Sequence, residues 1–202
     1  MIEKFLAIFA AYLIGGIPFG YLIVKLRTGR DVRTMGSGNI GATNVLRTTG
    51  RAWGVLTLVL DIAKGWAACA LMERVAGGSP GWVAAAGVAV VLGHAFPVYL
   101  RFHGGKAVAS FVGVALHLAP WALAAVAAVF VVTVAYTRYV SLGSMVGAGL
   151  FPFAVWLLYH PPLQVLAAIV FSSAFIIWRH RSNIERLMAG TENALSFGGK
   201  KK

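Results

Sequence analysis

The residues best suited to chemistry are polar islands in an apolar chain. The longest is Gly36-Ser37-Gly38-Asn39-Ile40-Gly41-Ala42-Thr43-Asn44-Val45-Leu46-Arg47. It holds three glycines, two asparagines, a serine, a threonine and an arginine, and no acid. Glycine lets a ligand approach the backbone closely, hydroxyl and amide groups donate, and guanidinium forms a bidentate fork to phosphate. Ser37, Gly38, Asn39, Gly41, Asn44 and Arg47 are therefore candidate contacts to an anion. Gly36, Gly38 and Gly41 also spell G-x-G-x-x-G. A dinucleotide fold needs a preceding strand, a following helix and a downstream acid, whereas the preceding element here is a membrane span and a parallel sheet has no room.

A second island is Arg101-Phe102-His103-Gly104-Gly105-Lys106. Gly104 and Gly105 end a loop, and Lys106 opens the next helix, so backbone N–H groups, a helix N-terminus and an ammonium are expected at one spot. The spacing is not that of a nucleotide-hydrolysing phosphate loop. Lys106 alone fits an interfacial anchor as well as a ligand. His94, near the end of the preceding apolar run, fits either a packing role or a site role. Ser141 and Ser144 could cap a helix or donate to the same anion. His180 and Asn183, three apart, share a helical face, and their helix is expected to continue the last span into water. Asp61 and Lys64, also three apart, sit inside an apolar run and read as a structural ion pair, with a role in orienting the cytoplasmic site through their helix as the alternative.

No nucleophile is paired with a base, and the five histidines are scattered, so no metal site is expected. Cys69 is alone, which excludes a disulfide. An enzyme built this way must use an activated donor, with catalysis by positioning and by stabilising negative charge.

The surrounding elements are membrane spans. A hydrophobic content of 59% with 12% charged residues and a mean hydropathy of +0.78 fit a chain that uses lipid as solvent. The net charge of +12 lies in short segments between apolar runs, which argues against nucleic acid as a partner. The runs are 5–24, 53–72, 81–100, 107–119, 121–137, 143–159 and 163–178. They predict an all-α polytopic bundle of seven transmembrane helices, the fourth short, in one domain over 1–202. Seven spans put Lys25, Arg27, Arg30, Arg33, Arg47, Arg51, Arg101, Lys106, Arg138, Arg179, Arg181, Arg186 and the three C-terminal lysines on one side. Lys4 and Arg74 are left on the other. The positive-inside rule then sets the N-terminus out, the C-terminus in, and every donor-rich segment on the cytoplasmic face.

Taken together the motifs resemble a known family. S-G-N-x-G-A-T-N from Ser37, L-D-x-x-K-G from Leu60, G-H-x-F-P followed by F-x-G-G-K-x-V-A from Gly93, and R-H-x-x-N-I-x-R-L-x-x-G-x-E from Arg179 occur in that order. The chain is similar over nearly its whole length to the bacterial acyl-phosphate:glycerol-3-phosphate acyltransferases, the PlsY family. The resemblance implies a multi-pass enzyme of the bacterial inner membrane, active on the cytoplasmic side. It would move a fatty acyl group from acyl phosphate to the 1-hydroxyl of glycerol 3-phosphate, giving lysophosphatidic acid and phosphate, without a cofactor. The enzyme that makes acyl phosphate is an implied partner. Ser37, Arg47, Lys106, His180 and Asn183 match catalytic positions, Gly104 and Gly105 the glycerol-3-phosphate loop, and Glu192 a structural position. Ala194 departs from a lysine usual in the family. A transporter or channel for an anionic phosphorylated solute is the competing class. Against it, the donors lie at one face and no inverted repeat is visible.

Overall fold

The computed structural model describes residues 1–195, and these are helical throughout, with loops and turns between. The three C-terminal lysines counted above lie outside the described residues. The helices are α1 (Ile2–Gly16), α2 (Phe19–Thr28), α3 (Ala42–Thr49), α4 (Arg51–Ala76), α5 (Pro80–Ala95), α6 (Val108–Leu118), α7 (Pro120–Thr137), α8 (Val140–Tyr159), α9 (Leu163–Arg179) and α10 (Arg181–Met188).

Proline and glycine set several of the breaks. Pro18 has no N–H and separates α1 from α2. Pro120 divides the long apolar stretch into α6 and α7, with Ala119 between them outside helical geometry at φ −153° and ψ 66°. Gly29 and Gly77 close α2 and α4 in the left-handed conformation.

Seven spans are expected from the sequence. By length and apolarity, five stretches can cross a membrane: Ile2–Thr28, Arg51–Ala76, Pro80–Leu100, Pro120–Thr137 and Val140–Tyr159. A sixth is counted if α9 and α10, bent by 50°, form one span. The helix α6 has 11 residues, about 16 Å at 1.5 Å per residue, too short to cross unaided. The chain is a multi-pass helical membrane protein by these dimensions.

The helices meet through small residues, as helices do when lipid removes the usual hydrophobic drive. A Cβ on Gly65 would stand 2.0 Å from Ser110 O, and one on Gly113 would stand 2.0 Å from Ile62 O. Glycine at both positions lets α4 and α6 touch backbone to backbone. The largest buried cluster joins α5, α6, α7, α8 and α9 through Val91, Phe111, Phe151 and Ile169, among others. Large apolar side chains such as Trp121, Val131 and Phe153 face outward, where lipid is the solvent. A separate cluster of Val24, Val32, Ile40, Val45 and Leu100 seats the 36–47 loop against the bundle.

Candidate functional site

Three chain segments converge at the loop between α5 and α6. Lys106 Nζ donates to Asn183 Oδ1 in a short contact. Asn183 Nδ2 donates to Glu192 Oε1 at 2.7 Å. Ser141 Oγ donates to the same oxygen at 2.9 Å, and Arg186 Nε donates to Glu192 Oε2 at 2.8 Å. Because a carboxylate only accepts, Glu192 settles which way the Asn183 amide faces: NH₂ toward Glu192, oxygen toward Lys106.

The electrostatics follow from this packing. Burial pushes the Lys106 ammonium down to about 8; Glu192 opposes the shift, and Arg186, Arg179 and Arg47 reinforce it. Arg47, in the last turn of α3, is thus within electrostatic reach of Lys106. Burial works to raise the Glu192 carboxyl, but hydrogen bonds from Asn183, Ser141 and Arg186 outweigh it and hold it below the usual range.

The helix through His180 does not run straight on. It bends by 50° between α9 and α10, so His180 and Asn183 turn inward and are buried rather than extending into water. Asn183 on Lys106 and Glu192 supplies the polar anchor for that bend. His180 Nδ1 lies 2.8 Å from Ile176 O. A carbonyl can only accept, so Nδ1 carries the proton and Nε2 of the neutral ring holds a lone pair.

The glycine amides differ from the sequence expectation. Gly104 N–H donates to Ala95 O and Gly105 N–H donates to His94 O, each at 3.1 Å. The glycines are needed for that close approach: a Cβ on Gly104 would stand 2.2 Å from His94 O, and one on Gly105 would stand 2.3 Å from His94 Nε2. Arg179 secures the other side of the turn, donating to Gly104 O at 3.2 Å and Gly105 O at 3.0 Å. Its guanidinium also lies over the rings of Phe96 and Trp178.

The first loop is likewise self-satisfied. Asn44, expected to meet substrate, is buried and bonds within the loop. Its Oδ1 accepts from Ser37 N at 2.9 Å, and its Nδ2 donates to Asn39 O at 2.8 Å and Met35 O at 3.0 Å. Asn39 Oδ1 accepts from Gly41 N–H at 2.8 Å, and Gly38 N–H donates to Met35 O at 3.0 Å. Gly38 has φ +71°, a conformation that favours glycine. A compact loop must satisfy its own backbone donors, and these side-chain and main-chain bonds do so. Ser37 and Arg47 are exposed.

At the start of α8 neither serine is a cap; Tyr139 occupies that position. Ser141 supports Glu192, and Ser144 Oγ donates to Val140 O in its own helix at 2.8 Å. Asp61 and Lys64 form a buried ion pair at 2.7 Å, off the line of a good hydrogen bond at Asp61 Oδ1. Among the described residues no group of acidic, histidine or cysteine side chains could hold a metal.

A cleft of about 310 Å³ opens between the two loops, lined by Arg33, Gly38, Ile40, Phe102, His103, Gly104 and Arg179. Arg33, Arg179 and Arg186 were not among the sequence candidates. Arg179 carried a signal, as an arginine beside His180 with aromatic residues nearby. Arg186 carried one too, as a later arginine of the motif that starts at Arg179, and Arg33 lies three positions ahead of Gly36.

The chain matches the Glycerol-3-phosphate acyltransferase family over residues 5–190. It belongs to that family. It is an acyltransferase, and a transporter is not the favoured reading. A glycerol-3-phosphate acyltransferase from Geotalea daltonii is 45% identical over 193 residues, covering 96% of this chain and 98% of the relative. One from Trichlorobacter lovleyi is 48% identical over 185 residues, covering 91% and 93%. The crystal structure of PlsY, described as an integral membrane glycerol 3-phosphate acyltransferase in its glycerol 3-phosphate form, aligns with a TM-score of 0.90. That acyltransferase is 37% identical, with 96% of each chain covered. Its lysophosphatidic acid form aligns at 0.87 with 35% identity, covering 96% of this chain and 95% of that one.

Proposed function

We propose that the protein transfers a fatty acyl group from acyl phosphate to the 1-hydroxyl of glycerol 3-phosphate, forming 1-acyl-glycerol 3-phosphate and phosphate. The supporting observation is the convergence of Lys106, Asn183 and Glu192, with Arg47 in electrostatic reach. It offers cationic groups to two phosphate-bearing substrates and no enzyme nucleophile. Acyl phosphate is a mixed anhydride with a good leaving group, so none is needed.

Lys106 holds the phosphate of glycerol 3-phosphate. Ser37 and Arg47 receive the phosphate of the donor, with the NH₂ of Asn39 and the loop around Gly38 and Gly41 beside them. The glycerol 1-oxygen attacks the acyl carbon, its proton passes to His180 Nε2, and the bond from acyl carbon to phosphate oxygen breaks. Phosphate leaves with the electron pair of that bond. Asn183 keeps Lys106 in place, and Glu192 keeps Asn183 in place. The acyl chain lies in lipid or along an apolar groove of about 490 Å³ formed by Val59, Ile62, Ala63, Trp66, Ala67 and Leu116 on α4 and α6. That groove runs mainly along α4, with Leu116 of α6 closing it.

The proposed setting is the bacterial inner membrane, as one transmembrane domain of seven spans with α6 shielded by its neighbours. The N-terminus is outside, and the site is cytoplasmic. The charge asymmetry of the loops supports this orientation, and the enzyme that makes acyl phosphate is the expected partner on that side. The deciding assay is phosphate release by the purified protein in lipid mesophase. Release that requires both substrates supports the reading; no release, with anion uptake into vesicles instead, overturns it. A His180→Ala enzyme with near-full kcat and an unchanged pH profile would move the proton to a phosphate oxygen of the substrate.

A further inference from the structure

Beneath the Lys106 loop, between α4, α5 and α6, lies a polar cluster that this chemistry does not touch. Asp61, Lys64, His94 and Ser110 are all buried. Lys64 Nζ stands 2.7 Å from Asp61 Oδ1 and donates to Ile17 O at 2.9 Å, the carbonyl at the break between α1 and α2. His94 Nδ1 lies 3.1 Å from Ser110 Oγ and 3.7 Å from Asp61 Oδ1. A buried ion pair is a poor source of stability, because desolvating both charges offsets their attraction.

What the cluster holds is the turn ahead of Lys106. His94 grips Gly105 twice. Its main-chain oxygen accepts the Gly105 N–H at 3.1 Å, and its ring lies so close that a Cβ on Gly105 would stand 2.3 Å from Nε2. Ser110 and Asp61 bracket the imidazole on its Nδ1 side, and Lys64 ties Asp61 to the first helix pair. Arg179 closes the turn from the opposite side. Lys106 is the next residue, and its ammonium must meet one phosphate.

We infer that His94 is a positioning residue for Lys106, acting through Gly105, with Ser110 and the Asp61–Lys64 pair fixing the imidazole. This rests on the reading of Lys106 as a phosphate ligand. All four are buried beneath the turn, so the effect passes through Lys106 to one substrate's binding and leaves the other's alone.

The test is kcat and KM for each substrate in Lys106→Gln, His94→Ala, His94→Asn, Ser110→Ala and the His94→Ala/Lys106→Gln double variant. Lys106→Gln identifies the substrate that Lys106 serves. His94→Ala is expected to raise the KM of that same substrate about tenfold, with the other KM within about twofold. His94→Asn, which keeps a hydrogen-bonding group near the Nδ1 position but not the Nε2 side that meets Gly105, recovers only about threefold of the loss. Ser110→Ala acts in the same direction by about threefold. In the double variant His94→Ala adds little, because its effect passes through Lys106.

His94→Ala and Ser110→Ala raising both KM values alike, or neither, overturns the inference, as does additivity in the double variant. Where His94→Ala does not fold, Ser110→Ala removes one oxygen and decides alone. If Lys106→Gln acts on acyl phosphate, the assignment of Lys106 to glycerol 3-phosphate falls. The positioning role still stands if His94→Ala acts on acyl phosphate too.

Discussion

Glu192 shows how much of the site hangs on one carboxylate. Its Oε1 accepts from Asn183 and Ser141, and its Oε2 accepts from Arg186. The Glu192 side chain is 5% exposed, and that of Arg186 is 33% exposed. Glu192→Gln replaces one acceptor with a donor. In the favoured amide orientation the oxygen stays on Asn183 and Ser141, and the NH₂ faces Arg186, which swings into water. The loss is one partly exposed charged bond, about 1–2 kcal/mol. Glu192→Ala strips the acceptor from all three donors and frees the Asn183 amide to turn. Hydrogen bonds to a charged group contribute about 1.5–3 kcal/mol each, and the exposed one counts least, so the cost is about 3–5 kcal/mol. Thermal unfolding followed by circular dichroism in detergent should rank wild type above Glu192→Gln above Glu192→Ala. The KM that Lys106 governs should rise in the same order. A Glu192→Ala protein that melts with wild type and keeps both KM values would refute the chain of support from Glu192 through Asn183 to Lys106.

Other outcomes follow from the same geometry. Burial holds Lys106 at about 8, so its charge is present below that pH and lost above it. The kcat/KM for glycerol 3-phosphate should fall as pH rises through about 8, and Lys106→Arg should remove that fall. Glu192 ionises below the usual carboxylate range when folded. Its stabilisation is therefore complete above the unfolded value of about 4.3 and lost as pH drops through the folded one, and Glu192→Gln should flatten that acid limb in melting experiments. Gly65→Ala places a Cβ 2.0 Å from Ser110 O, so α4 and α6 must separate, at about 1–3 kcal/mol in the same melting assay. Gly105→Ala drives a methyl into the buried His94 ring, so glycerol-3-phosphate KM should rise about tenfold alongside a stability loss of about 1–3 kcal/mol.

Much of the site was legible along the chain because its groups are local in sequence. Anion-binding residue types crowd into 36–47 and 101–106 and stand out against apolar flanks. Where the expected roles changed, the cause was a partner remote in sequence or a demand of the loop itself. Asn44 reads as a ligand in isolation, yet a loop of that compactness needs an internal bridge for Ser37, Asn39 and Met35. Gly104 and Gly105 read as amide donors, yet their amides meet the carbonyls that end α5. Ser141 reads as a helix cap or an anion donor, yet it joins Arg186 in holding Glu192, a partner remote in sequence from α8.

The sequence by itself determined the solvent, the helical class of the spans and the class of chemistry. These depend on composition and on contacts within a few residues. Tertiary structure decided that Lys106 meets Asn183 across 77 positions of sequence separation, that α9 bends at His180, and that His94 reaches under Gly105. Such contacts form only when α5, α6 and α9 pack. What sets that packing is glycine-sized gaps between helices and the need to satisfy every polar group away from water.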